Sequence, residues 1–394
     1  MSRKRPTIVD VAKAADVSIG TVSNYLNGTA GIRLATRKRI EAAIDSLAYR
    51  PSAVARSLSG WALIRGPENH LSLPRLLVVG YISVDYLCRV EVLPHRDDRI
   101  TARHIEKALG GPAANLAVAA AGVGAPHGLD VELATALGND PDSDWALTAL
   151  SHRGVHALPI RPPFNDRLSR CIVIIEANGS RTIINEPFEL SEVDLTANLE
   201  IKPETRPACL HIEGYHYERM IGSIERFRQA GWKTSLHSTG LPAGSRRPDS
   251  FMELVCNIDL VFVNDVMLRE IFAIRSPIAT IIQHLNEVLS GCQPRADVVL
   301  TLGEHGAVIF PRDGAAPIEV PALPVELIDA TGAGDAFAGV FLCFWLHGAS
   351  LIDAARHAAV AGSLATTAEG AQGRVSTFVD LDAALAGMTP AASA

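Results

Sequence analysis

The 394-residue sequence predicts two units of different fold class, a small all-α head and a larger α/β body. Residues 1–60 contain 10 Lys and Arg against 4 Asp and Glu, a net charge of +6, whereas the rest of the chain carries −13. In the body, continuous apolar runs are each followed by a helical stretch, an alternation typical of a doubly wound α/β sheet. The charge division indicates that only the head meets polyanions.

Composition places the chain among globular proteins, with 48% hydrophobic and 20% charged residues. No apolar run reaches the roughly 18 residues of a membrane span, and no hydrophobic stretch follows the basic N-terminus, so we expect a cytoplasmic protein. The six cysteines stand singly, without the spacing of zinc or redox motifs, and we interpret them as small apolar filling.

Three short helices are predicted in the head. Thr7 is a candidate cap for a helix starting at Ile8, and a break at residues 16–18 leads to a second helix that ends before Asn27-Gly28. A third helix is indicated over residues 36–47, with apolar residues on one face. This order predicts a helix-turn-helix whose second helix enters a major groove, while a helical dimerisation module remains the alternative.

The body is predicted to follow a linker. The stretch 60–74 contains prolines and glycines and shows no sustained period, so we divide the chain into a head at 1–60, a linker at 61–74 and a body at 75–385. Strands are expected at 76–80, 260–263 and 298–301. A hairpin turning at Asn178-Gly179 is expected within residues 171–184.

One motif carries chemistry: Asp329-Ala330-Thr331-Gly332-Ala333-Gly334-Asp335, followed by an apolar helical run. A glycine turn opening a helix presents unpaired amides and a positive dipole end. The amides of Ala333 and Gly334 could hold a γ-phosphate while Asp335 takes a proton from a hydroxyl, so the motif predicts phosphoryl transfer. The alternative is a tight strand-to-helix turn with Asp335 as a helix cap. No P-loop or dinucleotide fingerprint occurs, so the phosphates would rest on the segment from Gly332 to Asp335.

Several separated motifs resemble the ribokinase-like (pfkB-type) carbohydrate kinase family over residues 75–380. The matching segments are Gly80-Tyr81-Ile82-Ser83-Val84-Asp85, Gly110-Gly111-Pro112-Ala113-Ala114-Asn115, Thr301-Leu302-Gly303-Glu304-His305-Gly306 and residues 329–335. The resemblance implies a ribokinase-like doubly wound domain with a small β lid, for which residues 87–104 and 171–184 are candidates. Residues 80–85 would form the first strand.

The same resemblance implies site roles. The sugar or nucleoside would lie among Asp85, Gly110, Gly111, Asn115 and the base Asp335, with Glu213 as a further contact, and catalysis would also use Gly332, Ala333 and Gly334. Carboxylates suit polyols because their oxygens accept from adjacent hydroxyls. Two alternatives stay open: Asn115 as a helix-start residue and Asp85 as a turn cap. Ser83 departs from the Asn of ribokinase and weakens any inference to ribose.

ATP and Mg²⁺ are the implied cofactors, with K⁺ as a further candidate. Asn264, Thr301, Gly303 and Gly306 would line the nucleotide, and Asp329, Thr331 and Gly370 would bind the monovalent cation. A hairpin turn at 303–306 and a structural turn at 329–331 are the alternatives. One departure stands out: the family pattern N-x-x-E ends here in Met267, and a thioether is no ligand for magnesium. Asp265 and Glu270 are the candidate substitutes.

The head resembles the lactose-repressor (LacI) family over about 55 residues, through segments such as Thr7-Ile8-Val9-Asp10-Val11-Ala12, Thr21-Val22-Ser23 and residues 49–58. The resemblance implies that Ile19, Gly20 and Asn24 face bases, that Thr21, Ser23 and Asn27 contact phosphates, and that Leu58 wedges into a central minor groove. Leu58 as a core residue remains open. A homodimer on a near-palindromic operator DNA is implied. Asn24 and Arg33 depart from the family's usual Arg and Ser.

Three functions compete. The first is a transcription regulator whose kinase-like body senses a sugar or nucleoside and phosphorylates it with ATP. The second is a catalytically inactive sensor, favoured by Met267. The third is a metabolic kinase with a vestigial head, against which the hinge leucine Leu58 argues.

Overall fold

The computed structural model describes residues 8–18, 21–22, 36, 39–40, 43, 73–161, 167–177, 180–186, 193, 195, 199, 201 and 204–388. Its strands are β1 (Arg75–Val79), β2 (Ser83–Arg89), β3 (His104–Gly110), β4 (Asp130–Ala136), β5 (His156–Ile160), β6 (Arg170–Ile175), β7 (Arg181–Asn185), β8 (Ala208–Glu213), β9 (Lys233–His237), β10 (Leu260–Asn264), β11 (Asp297–Thr301), β12 (Ala307–Phe310) and β13 (Ile318–Val320). Its helices are α1 (Ile8–Ala14), α2 (Pro112–Val123), α3 (Pro141–His152), α4 (Tyr217–Gln229), α5 (Pro248–Asn257), α6 (Asp265–Phe272), α7 (Ile278–Cys292), α8 (Ala333–Leu346), α9 (Leu351–Ala365) and α10 (Phe378–Gly387). None of these helices is long and apolar enough to cross a membrane.

Nine strands form the large sheet in the order β13-β12-β11-β10-β9-β8-β1-β4-β5. The seven strands from β11 to β5 run parallel, and β12 and β13 are added antiparallel. The sheet is covered on both faces. Leu76 and Val78 of β1 belong to a core with α2, α8 and α9, whereas Leu77 and Val79 belong to a second core with α4 and α7. Burial on both faces explains the continuous apolar strands.

A separate four-stranded sheet, which we call the lid, has the order β3-β2-β6-β7. Its register places Asp85, Leu87 and Arg89 of β2 on the same face as Arg181 of β7, because Arg89 and Arg181 both pair with Ile175. We call this the inner face. The outer face carries three isoleucines that are largely exposed to solvent: Ile105, Ile172 and Ile184.

The predicted fold class of the body is confirmed, with two corrections of detail. The first strand ends at Val79, and Asp85 belongs to the lid strand β2 instead of ending β1. The lid candidate at 87–104 is mostly the connection between β2 and β3, because Arg89 ends one strand and His104 begins the next. The expected hairpin is the antiparallel pair β6 and β7, and its turn residues Asn178 and Gly179 lie outside the described residues.

Part of the head is described. After α1 the backbone of Asp16 takes a left-handed conformation with φ of 51°, which ends the helix at the predicted break. The Ser18 hydroxyl then accepts the amide of Thr21 at 3.0 Å, as an N-cap does. Val11, Ala15 and Val22 are buried, together with Ile40 further along. These residues supply the apolar faces that the sequence predicts for packed helices.

Candidate functional site at the carboxyl ends of the parallel strands

The site centres on the first turn of α8. Gly332 precedes the helix with a left-handed φ of 76°, and an added Cβ would lie 2.7 Å from the Ala371 methyl, so only glycine fits there. The Ala333 amide makes a long 3.3 Å bond to the Ala330 carbonyl, while within the described part of the chain the Gly334 and Asp335 amides have no hydrogen-bond acceptor. The donors available to an anion are therefore at 334 and 335, one residue later than the predicted pair.

Asp335 is fixed by a neighbouring helix. The Asn115 amide in the first turn of α2 donates to one carboxylate oxygen of Asp335 at 2.9 Å, and the Gln372 amide donates to the Asn115 carbonyl oxygen at 2.9 Å. Burial raises the pKa of Asp335 to about 6, against the opposing effect of the Asn115 donor. Asn115 is itself buried, and both the nitrogen and the oxygen of its side-chain amide take part in these hydrogen bonds. It is therefore not a helix cap.

Glu213 ends β8 and is 1% exposed. Its two carboxylate oxygens accept the amides of Tyr81 at 2.8 Å and of Ala113 at 3.0 Å. Burial raises the pKa of this carboxyl well above its usual range, and the nearby Asp335 charge adds to the rise. Glu213 thus fastens the end of β1 to the start of α2, which places Asn115 beside Asp335.

The lid supplies Asp85 from its inner face. The Ser83 hydroxyl donates to Asp85 at 2.8 Å, and burial raises the pKa of the Asp85 carboxyl. Gly110 lies against this carboxylate, since an added Cβ would stand 2.2 Å from an Asp85 oxygen. Gly111 caps α2 with a φ of 94° and touches the backbone of Ile82. Asp85, Gly110 and Gly111 therefore form one wall beside the start of α2.

A cleft of about 740 Å³ lies on the other side of the α8 N-terminus. Ala333 and Gly334 line it together with the predicted nucleotide residues Thr301, Gly303 and Gly306. A short 3₁₀ turn at Gly303–His305 joins β11 to antiparallel β12, so the segment is a hairpin connection and a cleft wall at once. The lining also includes an apolar loop with Leu323, Pro324, Val325 and Leu327.

Asn264 and Met267 occupy the first turn of α6. The Asn264 side chain caps this helix by accepting the Met267 amide at 2.8 Å, and the Met267 side chain is buried in the core beneath. The two candidate substitutes are bound elsewhere: Asp265 pairs with Arg269, and Glu270 pairs with Arg246. The described residues contain no group of three His, Cys, Asp or Glu side chains that could hold a metal ion. The residues present here do not fit a protein-held Mg²⁺.

The three residues predicted for a monovalent cation do come together. The two oxygens of Asp329 accept the amides of Thr331 and Gly370, each at 2.7 Å. A residue that the sequence did not single out also reaches this carboxylate: Arg181 of the lid forms an ion pair with Asp329. Only the register of β7 places Arg181 on the inner face, so the hairpin pattern alone gave no reason to choose it.

His237 is a second residue that the sequence analysis missed. It ends β9, and its Nε2 stands 3.7 Å from where a Cβ on Gly334 would be. The Thr239 amide approaches Nδ1 at 3.3 Å, and burial lowers the pKa of His237 to about 4. The ring is therefore neutral beside the α8 turn.

Most predicted DNA contacts cannot be placed. Thr21 begins the second helix and shares a 2.8 Å hydrogen bond between its hydroxyl and that of Ser18. Six further residues assigned to DNA lie outside the described residues: Ile19, Gly20, Ser23, Asn24, Asn27 and Leu58. Their roles stay predictions.

A doubly wound sheet, a β lid and an aspartate-bearing helix N-terminus define a ribokinase-like α/β protein. Residues 73–377 match the model of the pfkB family carbohydrate kinases, and residues 7–52 match that of the bacterial regulatory proteins of the lacI family. The chain therefore belongs to the pfkB carbohydrate kinase family and carries a lacI-type head in front of it. Both predicted resemblances are confirmed.

The relatives and solved structures to which this chain is similar are kinases. A cytidine kinase of Thermococcus kodakarensis is 28% identical over 285 residues, 71% of this chain and 92% of that protein. A ribokinase of Lactococcus lactis is 27% identical over 323 residues, which cover 79% of this chain and 97% of that protein. The ribokinase structure of Giardia lamblia superposes with a TM-score of 0.67 at 20% identity, over 80% of this chain and 99% of that one. The structure of Arabidopsis thaliana ribokinase complexed with ribose and ATP superposes with a TM-score of 0.63 at 22% sequence identity. The superposition covers 79% of this chain and 99% of that chain.

The Asp335 carboxylate is partly exposed yet strongly desolvated, so we predict that Asp335→Asn stabilises the fold in a pH-dependent way. The pKa of this carboxyl is 3.8 in the unfolded chain and about 6 in the folded one. Ionisation therefore lowers the free energy of unfolding as the pH rises between these values, fully above pH 6 and not at all below pH 3.8. We expect the variant to raise Tm at pH 8 by on the order of 2–4 °C, discounted for partial exposure, and the gain to vanish towards pH 4.

Calorimetric scans from pH 4 to 8 measure this gain. Asp353→Asn is the matched control, because Asp353 also lies in a first helical turn but is exposed on α9. A rise in Tm that is the same at every pH, or a lower Tm at pH 8, would contradict the raised pKa of Asp335.

Proposed function

We propose that this chain is a DNA-binding transcription regulator whose body binds a sugar or nucleoside and phosphorylates a hydroxyl with ATP. The observation that carries the catalytic half is the Asn115–Asp335 pair beside the amides of Gly334 and Asp335, which have no acceptor among the residues that the structure describes. A carboxyl with a pKa of about 6 is largely ionised at neutral pH and close to the value that favours general-base catalysis. Backbone amides at a helix N-terminus stabilise the transferred phosphoryl group.

The surroundings of the α8 N-terminus support separate places for ATP and for the acceptor molecule. The 740 Å³ cleft with its apolar loop suits the base of ATP, and Gly334 of the α8 first turn is among its lining residues. Asp85, Gly110 and Asn115 lie on the lid side, where carboxylate and amide oxygens suit a polyol. The cytidine kinase and ribokinase relatives favour a pentose or a nucleoside as the acceptor. Asp335 would then remove the proton from the hydroxyl that attacks the γ-phosphorus.

Mg²⁺ accompanies ATP in this proposal as the charge partner of its phosphates. The fit of the chain to the ion is poor, since Asn264 caps α6, Met267 is buried and Asp265 and Glu270 are paired with arginines. We therefore route no step through the metal. The same features are what favour the second candidate, a sensor that binds ligands without turnover.

The regulatory half is proposed from the head. A lacI-type segment attached to a ligand-binding body supports control of DNA affinity by ligand, provided that the ligand binds two states of the body unequally. A homodimer would present two heads to a near-palindromic operator. The exposed outer lid isoleucines Ile105, Ile172 and Ile184 support such pairing between copies. Both roles need DNA and ATP, so we place the protein in the cytoplasm.

Phosphoryl transfer from ATP should occur on at least one member of a panel of pentoses, hexoses and nucleosides. Asp335→Asn should lower kcat by roughly 10²–10⁴-fold while ligand binding persists, because it removes the base and keeps the shape. Asp353→Asn should leave the rate unchanged. Coupled ADP-release assays give the rate, and calorimetry gives the binding. Binding without turnover on any acceptor would reject the enzyme and leave the sensor.

The head should recognise DNA upstream of its own coding region. We expect a specific gel shift that persists in salt at which scrambled DNA is released, because non-specific affinity is mainly electrostatic. Leu58→Ala should weaken specific binding by about 1–3 kcal/mol if it removes the minor-groove wedge, with little effect on scrambled DNA. Equal affinity for both DNAs would favour a metabolic kinase with a vestigial head.

A further inference from the structure

Arg181 places a positive charge where the family resemblance expects a monovalent cation. Its guanidinium forms an ion pair with Asp329, and the same nitrogen, Nη1, donates to the Thr331 hydroxyl at 2.9 Å. The second nitrogen, Nη2, approaches the Ile328 carbonyl at 3.5 Å. Two of the three residues predicted as cation ligands, Asp329 and Thr331, thus already have a cationic partner from the protein.

Among the described residues, three donors occupy the Asp329 carboxylate, which has about four acceptor positions. It is 3% exposed, one carboxylate oxygen accepts the Thr331 amide and Arg181, and the other accepts the Gly370 amide. A monovalent cation here would have to displace the guanidinium or lie against it. Displacement would leave the Arg181 side chain, which is only 19% exposed, without its ionic partner. Placing the ion beside the guanidinium would bring two positive charges together, which is also unfavourable.

The geometry comes from the lid as a whole. Arg89 and Arg181 both pair with Ile175 across β6, so they lie in one row on the inner face. Arg89 forms an ion pair with Glu369, the residue before Gly370. Two lid arginines therefore hold the two segments that meet at Asp329, and Ala371 of the second segment packs on Gly332 at the start of α8.

We propose that Arg181 takes the place of the monovalent cation, so that this chain orders the Asp329 turn and binds nucleotide without K⁺. The guanidinium supplies the positive charge, and its Nη1 contacts both the Asp329 carboxylate and the Thr331 hydroxyl. The proposal rests on nucleotide binding at the cleft, which belongs to the proposed function, but its test includes a direct search for the ion.

ADP binding to the full-length protein measures the dependence on K⁺. Calorimetry is run in KCl and in tetramethylammonium chloride at equal ionic strength. The wild type should show dissociation constants that agree within about twofold, since no binding energy is linked to K⁺. Arg181→Gln should bind ADP more weakly in tetramethylammonium and recover in K⁺, because its Asp329 carboxylate is open to an ion. Arg103→Gln is the control, because Arg103 is an exposed arginine just before β3 and pairs with Glu91.

Crystals soaked in RbCl provide the second readout, because Rb⁺ substitutes for K⁺ and scatters anomalously. We expect no anomalous peak at Asp329 in the wild type and a peak there in Arg181→Gln. A peak at Asp329 in the wild type, or a K⁺-selective gain in its ADP affinity, overturns the proposal. If ADP binds in neither salt, the proposed function fails while the Rb⁺ result still decides the role of Arg181. If the variant does not fold, the wild-type measurements suffice.

Discussion

The hydrogen bond between Asn115 and Asp335 is the interaction on which the rest of the site depends. It joins the first turns of two helices that are 220 residues apart in sequence. Two contacts hold Asn115 in position to donate to Asp335. Gln372 donates to the Asn115 side-chain oxygen, and Glu213 accepts the amide of Ala113 at the start of the same helix. The buried carboxyl of Glu213 thus helps to position the Asp335 carboxylate, and the charge of Asp335 in turn raises the pKa of Glu213.

The lid is tied to this centre through charge. Asp85 stands on the inner face against Gly110, while Arg89 and Arg181 of the same face grip the segments around Glu369 and Asp329. Those segments lead directly into the Gly332 turn. The two ion pairs therefore connect the lid to the segments on either side of the α8 N-terminus.

Much of the fold could be predicted from the sequence, because parallel strands buried on two faces read as apolar runs. The strands β1, β10 and β11 and the pair β6 and β7 lie within a residue or two of expectation. The chain path after β1 could not be predicted, since Asp85 follows the first strand closely but belongs to another sheet. Register decides such questions, and register depends on partners distant in sequence.

The site was predictable where motifs are local. Residues 329–335 show their chemistry in their own spacing, and Asn115 follows its glycines. Glu213 was expected only as a sugar contact, whereas its two oxygens accept the amides of Tyr81 and Ala113. These contacts, like those of Arg181 and Gln372, follow no local pattern. Met267 was recognisable as a departure, but only the structure shows that its side chain joins the core and that Asp265 and Glu270 are already paired.

The pH dependence of kcat/KM for wild type and Asn115→Leu, on whichever acceptor is turned over, tests the central claim most directly. The wild type should lose activity below a pH of about 6, where Asp335 takes up its proton. Leucine keeps the volume of Asn115 but removes the donor that favours the charged carboxylate, so the acidic limb should move to higher pH. Asn257→Leu, an exposed position at the end of α5, should leave it in place. An acidic limb that is absent in the wild type, or that does not move in Asn115→Leu, would contradict the account.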